Sequence, residues 1–105
     1  MNYLMVRNES EMRIIRFEFL LSIEVSDSVC TFYLENESPF SCVKSLREIQ
    51  MKLPDFFIQI DRNCIINIRH VKSIDFKNRE VKLTGNKVCS FSVRNAHVLK
   101  QTFAE

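Results

Sequence analysis

Three consecutive polar residues, Asp61, Arg62 and Asn63, interrupt the most apolar part of the chain. Largely apolar runs at 56–60 and 64–68 flank them, which predicts two buried strands joined by a short loop. A guanidinium held on such a loop can read O6 and N7 of guanine, or it can clamp a phosphate group. The alternative for Arg62 is a surface ion pair with Asp61, which would contribute little to stability.

A second polar pair, Arg94 and Asn95, follows the last predicted strand. The amide of Asn95 could bond N6 and N7 of adenine, or the residue could serve as a helix N-cap. Five basic residues in the same half of the chain are candidate phosphate contacts, although the simplest explanation for each one alone is a solvated surface residue. These residues are Lys72, Lys77, Arg79, Lys82 and Lys87.

The charge is unevenly distributed along the chain. The formal net charge is only +2. Residues 1–55 contain six Lys/Arg and nine Asp/Glu, a net charge of −3, whereas residues 56–105 contain nine Lys/Arg and four Asp/Glu, a net charge of +5. The positive second half could attract phosphate groups, or the asymmetry could be a chance property of a solvated surface.

The usual parts of an enzyme are missing from the sequence. His70 and His97 are the only histidines, neither belongs to a recognised nucleophile motif, and a single glycine excludes a glycine-rich phosphate loop. The four cysteines include no C-x-x-C pair, which argues against a metal site. We therefore predict no catalytic residues, no cofactor and no metal.

The cysteines and the apolar segments also bear on the compartment. All four cysteines lie in apolar, strand-like runs, where a reduced thiol acts as a small hydrophobe. The longest apolar segment, 17–25, contains Glu18, Ser22 and Glu24 and is far shorter than the roughly 20 residues of a membrane span. No signal peptide is evident at 1–10. We expect a cytoplasmic protein that does not enter a membrane.

Apolar and polar residues alternate through most of the chain, which predicts a mainly β fold. The alternation predicts one strand over 15–25, with strands near 30–34, 40–43, 81–83 and 88–93 and a turn at Gly85. Ser45 and Glu48 form a capping-box pattern that begins a helix over about 46–53, and a second helix spans about 95–103 after Ser92 or Asn95 as its cap. We expect one domain over 13–105, with 1–12 as a lead-in segment or edge strand.

The order and spacing of these residues resemble the LytTR family of DNA-binding response-regulator output domains. The family pattern is Phe-x-Arg-x-His-Arg-Ser-x-x-Val-Asn, followed later by Val-Ser-Arg. This chain has Phe57-Ile58-Gln59-Ile60-Asp61-Arg62-Asn63-Cys64-Ile65-Ile66-Asn67 and then Phe91-Ser92-Val93-Arg94-Asn95. The resemblance covers roughly 13–103, and one landmark departs from it, because Asp61 stands where the family usually has His.

The resemblance implies an elongated arrangement of small antiparallel sheets with short helices, whose loops enter DNA grooves. Arg94 then matches a base-contacting position, and Ser28, in the first hairpin turn, approaches DNA or simply closes its turn. Asp61 could accept a hydrogen bond from N4 of cytosine, or it could orient Arg62. Asn67 matches the family Asn, for which a structural role at a strand end is expected.

The resemblance also implies the partners. It predicts sequence-specific binding to double-stranded DNA at tandem repeats, by a weak or DNA-dependent homodimer, in transcriptional regulation. Family members usually carry an N-terminal receiver domain, for which these 105 residues leave no room. The alternative is a protein-interaction module on the same fold that has lost DNA binding. A third possibility is a redox-sensitive Cys64 whose thiol pKa is lowered by Arg62, against the simpler interpretation of a buried core cysteine.

Overall fold

The computed structural model of the chain describes residues 2–104. Its strands are β1 (Tyr3–Arg7), β2 (Met12–Arg16), β3 (Leu20–Ser26), β4 (Val29–Leu34), β5 (Phe40–Val43), β6 (Phe57–Asp61), β7 (Cys64–Asn67), β8 (Val71–Asp75), β9 (Glu80–Leu83) and β10 (Val88–Ser90). The helices are α1 (Leu46–Gln50) and α2 (Ala96–Thr102), and short 3-10 helices lie at Phe17–Phe19, Ile68–His70, Thr84–Asn86 and Val93–Asn95. None of the helices within 2–104 is long and apolar enough to cross a membrane.

The strands form three antiparallel sheets, so the predicted fold class is confirmed. The largest sheet has five strands in the order β5-β4-β3-β7-β6, the second has β10-β9-β8, and the third pairs β1 with β2. The molecule is elongated, with extents of 41 × 25 × 24 Å. Residues 3–7, in the segment predicted as a lead-in or edge strand, form β1, while Met1 and Glu105 lie outside the described residues.

Two hydrophobic cores lie on opposite faces of the five-stranded sheet. The first core packs this sheet against β1, β2 and α1, and the second packs it against the three-stranded sheet and α2. Successive residues of β7 therefore serve different cores: Ile65 belongs to the first, and Cys64 and Ile66 belong to the second. Double-sided burial explains why β7 has no polar–apolar alternation, since neither face of the strand meets water.

The single strand predicted over 15–25 is wrong in one respect. The chain leaves the two-stranded sheet after Arg16, turns through the 3-10 helix Phe17–Phe19, and enters the five-stranded sheet at Leu20. The period-two pattern continues through Phe17, which is buried, but Phe19 is 43% exposed. The alternation of apolar and polar residues indicates which side chains face the core. It does not reveal that the chain passes from one sheet to another between β2 and β3, because both strands face the same core.

The two predicted helices are confirmed with shorter limits. The Ser45 hydroxyl accepts the Glu48 N–H at 3.2 Å, as the capping box predicts, and it also donates to the Glu48 carboxylate at 3.1 Å. The helix ends at Gln50 instead of residue 53, because the following turn makes i→i+3 bonds ahead of Pro54. The second helix spans 96–102 instead of 95–103, and the Asn95 side chain does not cap it.

Gly85 and Asn67 shape the ends of two strands as the sequence predicts. Gly85 has φ +74°, the left-handed conformation expected of it in the turn after β9. Asn67 is fully buried at the end of β7. Its Nδ2 donates to the carbonyls of Phe17 at 3.1 Å and Leu20 at 3.0 Å, and its Oδ1 accepts the Arg69 N–H at 2.9 Å. One side chain thus satisfies two backbone carbonyls at the bend between β2 and β3 and one backbone N–H in the turn after β7.

Replacing Asn67 should therefore be costly. We expect Asn67→Ala to lower the free energy of unfolding by roughly 2–4 kcal/mol, because buried backbone groups lose their partners. Urea unfolding followed by circular dichroism measures this loss. The matched control is Asn2→Ala at an exposed position, which should change stability by less than about 0.5 kcal/mol. Equal midpoints for the two variants would contradict the structural role of Asn67.

Candidate nucleic-acid interface

The turn between β6 and β7 is held by its own side chains. The Oδ1 atom of Asp61 accepts the backbone N–H of Arg62 at 2.6 Å, and Nε2 of Gln59 donates to the Arg62 carbonyl at 3.3 Å. The register of β6 against β7 also shifts between Gln59 and Asp61. Both bonds engage the backbone of Arg62 and leave its guanidinium at the exposed tip of the turn.

The second predicted contact pair lies in the turn from β10 into α2. The backbone N–H of Ser92 donates to the Ile60 carbonyl at 3.2 Å, which ties this turn to the end of β6. The Asn95 backbone N–H donates to the Ser92 carbonyl at 3.0 Å, and its Nδ2 donates to the Ser92 hydroxyl at 2.8 Å. Asn95 therefore stabilises the turn, although its amide oxygen is not used in either bond.

The two turns line one groove. This groove has a volume of about 680 Å³, and its walls are formed by Gln59, Asp61, Arg62, Ser92, Val93, Arg94 and Asn95. The arginines Arg62 and Arg94 are exposed, and neither takes part in an ion pair among residues 2–104. The alternative of an Arg62–Asp61 ion pair therefore does not occur, because the Asp61 carboxylate binds the backbone instead.

Ser28 lies at the same end of the five-stranded sheet, outside the groove. The turn between β3 and β4 has positive φ at both central residues, 50° at Asp27 and 68° at Ser28. Its neighbour across the sheet is the β6–β7 turn, since the Val25 N–H donates to the Asn63 carbonyl at 2.9 Å. Asn63 is exposed between the two turns.

The five candidate phosphate contacts all lie on the three-stranded sheet, but they do not form one cluster. Lys77 and Arg79 belong to the β8–β9 turn, where the Arg79 carbonyl accepts the Phe91 N–H at 3.0 Å just before the groove-lining turn. Lys72 and Lys82 are exposed on β8 and β9. Lys87 is different, because its ammonium lies 2.8 Å from Oε2 of Glu24 and 3.5 Å from the ring centre of Tyr33.

The environment of Cys64 contradicts a thiol activated by Arg62. A hydrogen bond with Cys89 and burial raise the pKa of the Cys64 thiol, and Arg62 is not among the groups that shift it. Cys64 is 7% exposed, so the interpretation as a buried cysteine is the correct one.

Sequence reasoning missed three groove residues, Gln59, Ser92 and Val93. Gln59 could have been found from the period of two in a strand, because it faces the same side as Asp61. Val93 is 71% exposed, although an apolar side chain is ordinarily predicted to be buried. The hydrogen bond from Ser92 to Ile60, which joins the two turns, depends on tertiary packing, and no pattern in the sequence predicts it.

Comparisons with known proteins identify the family of the chain. The family model of the LytTr DNA-binding domain matches residues 10–104. Among solved structures, the chain is similar to the LytTr DNA-binding domain of a Bacillus cereus protein described as a methyl-accepting/DNA response regulator, with a TM-score of 0.85, 19% identity, and coverage of 100% of this chain and 99% of that chain. No curated protein matches the chain. The family is one of DNA-binding domains and not of enzymes, and the chain belongs to the LytTR family of DNA-binding domains.

Proposed function

We propose that this domain binds double-stranded DNA sequence-specifically in a transcriptional regulator, and that it inserts the β6–β7 turn and the Ser92–Asn95 turn into DNA grooves. The observation that carries the proposal is the shared groove, in which two exposed guanidiniums stand on turns bonded to the same strand, β6. An arginine held on a rigid support recognises guanine better than a mobile one, since less conformational freedom is lost on binding.

The contacts divide by chemistry. Arg62 and Arg94 are assigned to base edges, and Asn63 and the free amide oxygen of Asn95 to bases or sugar–phosphate next to them. Ser28 is assigned to the backbone beside the Asn63 turn. Lys72, Lys77, Arg79 and Lys82 supply the non-specific attraction to phosphates, whereas Lys87 does so only after leaving Glu24.

The remaining features follow from the family. We propose a cytoplasmic domain over 13–105, preceded by the segment 1–12 that contains the strand β1, which binds tandem repeats as a weak or DNA-dependent homodimer. Two domains on adjacent repeats would each need only modest affinity, because the second binding event profits from a high local concentration.

A protein-interaction role is favoured by one specific observation. The outer face of the β1–β2 sheet exposes Met5, Met12 and Ile14, each more than half accessible. Met5 and Ile14 are directly opposite each other across the two strands, so they form a continuous apolar patch. This patch lies on the β1–β2 sheet, whereas the groove is lined by the β6–β7 turn and the Ser92–Asn95 turn. A protein partner could therefore bind the patch while DNA is bound at the groove.

The first test concerns the two arginines. A duplex is selected from a random pool, and its binding is measured by fluorescence anisotropy over a range of salt concentrations. We expect Arg62→Ala and Arg94→Ala each to lose roughly 1–3 kcal/mol of discrimination against random DNA, whereas Lys77→Ala or Lys82→Ala should mainly reduce the salt slope by about 1.

Arg47→Ala is the matched control, because Arg47 is exposed on α1 and does not line the groove. It should leave discrimination unchanged. Absence of DNA binding by the folded protein at low salt, or an equal loss in the Arg47 variant, would refute the assignment of the groove.

The second test concerns Asp61, which replaces the usual family His. Asp61→Asn keeps an oxygen to accept the Arg62 N–H and removes a negative charge near phosphate, so we expect binding about fivefold tighter at low salt, equivalent to about 1 kcal/mol. Asp61→Ala removes the acceptor and should weaken binding, because the turn loses its bond. If Asp61→Asn instead abolishes preference at a single C·G pair, the carboxylate reads cytosine and does not merely shape the turn.

A further inference from the structure

A polar cluster with metal-ligand chemistry lies between the five-stranded and three-stranded sheets. It consists of Glu24 on β3, Cys64 on β7 and Cys89 on β10, whose carboxylate oxygen and two sulfur atoms all lie within 4.8 Å of one another. The two cysteines are 7% and 3% exposed, and Glu24 is half-buried. Three strands from two sheets thus bring three potential ligand atoms close together. The spacing of these residues along the sequence does not indicate that they meet.

The cluster is hydrogen-bonded internally. Oε2 of Glu24 accepts the Ser22 hydroxyl at 3.2 Å and lies 3.9 Å from Sγ of Cys89. The hydrogen bond with Cys64 lowers the pKa of the Cys89 thiol, while the same bond and burial raise the pKa of Cys64. Lys87 is a nearby positive charge, with its ammonium 2.8 Å from Oε2 of Glu24.

The cluster can be reached from solvent. A groove of about 350 Å³ runs between the sheets, and its walls include Glu24, Cys64 and Cys89 together with Asp61 and Asn63 from the β6–β7 turn. A hydrated ion can therefore enter without unfolding either sheet.

We propose that Glu24, Cys64 and Cys89 form a binding site for a thiophilic divalent metal ion of the Zn²⁺ class. Two thiolates and one carboxylate are a suitable ligand set, and a water molecule would take the fourth tetrahedral position. Ligand atoms of such a site lie roughly 3.5–3.8 Å apart. The present separations of up to 4.8 Å must therefore shorten by about 1.3 Å at most when the ion binds. The two thiols release their protons to solvent when they bind the ion.

Lys87 is the built-in competitor for this site. Its ammonium forms an ion pair with Oε2 of Glu24 at 2.8 Å. A metal ion bound to the Glu24 carboxylate would repel this ammonium. Metal binding therefore displaces a charged lysine toward solvent, and removing this lysine should strengthen metal binding.

The chain contains its own control for buried thiols. Cys30 and Cys42 are directly opposite each other on β4 and β5, and both are buried in the first core. Burial raises the pKa of Cys30 to about 12. No third ligand joins this pair, since the Glu24 cluster is the one group of three metal-ligating side chains within residues 2–104.

The experiment uses the reduced, metal-free full chain and titrates it with Co²⁺ under nitrogen. We expect one Co²⁺ per chain with a thiolate-to-cobalt charge-transfer band, which Zn²⁺ removes by displacement, and a Zn²⁺-dependent rise in Tm. Cys64→Ser and Cys89→Ser should each lower the apparent Zn²⁺ affinity on the order of 100-fold, whereas Cys42→Ser should leave it unchanged.

Two further variants decide the matter if a cysteine variant fails to fold. Glu24→Gln should lower the Zn²⁺ affinity on the order of tenfold, and Lys87→Met should raise it by a similar factor. The proposal is overturned if the folded wild-type protein gives no charge-transfer band, if the band survives in Cys64→Ser and Cys89→Ser, or if Lys87→Met weakens binding. None of these readouts requires DNA, so they stand apart from the test of the groove.

Discussion

The pairing of β3 with β7 is the constraint on which the remaining structure depends. These two strands form the middle of the five-stranded sheet and are buried on both faces, so each of them separates two hydrophobic cores. Ile23 and Ile65 face the first core and are paired with each other, while Ile66 faces the second. A shift of one residue would exchange these faces and expose polar atoms to both cores, which fixes the register strongly.

This fixed register determines where the functional turns lie. The β6–β7 turn extends from the buried end of β7, and the Ser92–Asn95 turn is bonded to the last buried residue of β6, Ile60. Leu99 of α2 packs into the second core beside Ile60, so the helix holds its preceding turn in place. The proposed DNA-binding side chains therefore stand on short turns whose backbones are set by core packing, and their positions relative to each other need no partner to form.

Local patterns in the sequence predicted the elements that depend on local physics. The capping box at Ser45 and the positive φ of Gly85 are properties of a few neighbouring residues, and both are confirmed. The strand-end role of Asn67 is also confirmed, although its amide bonds to Phe17 and Leu20, which are distant in the sequence. The bend at Phe17–Phe19 was not predicted, because it depends on the carbonyl contacts of Asn67, fifty residues away. Likewise the family pattern identified Arg62 and Arg94, whereas the bond that joins their turns, from Ser92 to Ile60, is a tertiary contact without a local signal.

The charges bear on the proposed DNA binding, because they favour a few directed contacts over a broad positive field. The net charge is only +2, and one of the basic residues of the second half, Lys87, is neutralised by Glu24. Asp61 adds a negative charge to the groove, but its carboxylate accepts a hydrogen bond from the backbone N–H of Arg62. A family histidine at this position would offer a donor to DNA; the carboxylate instead makes the turn rigid. If Arg62 contacts a base as proposed above, the Asp61 carboxylate fixes the backbone that carries it and forgoes a contact of its own, and this would favour specificity over affinity, because a bidentate arginine contact discriminates more than a single phosphate contact.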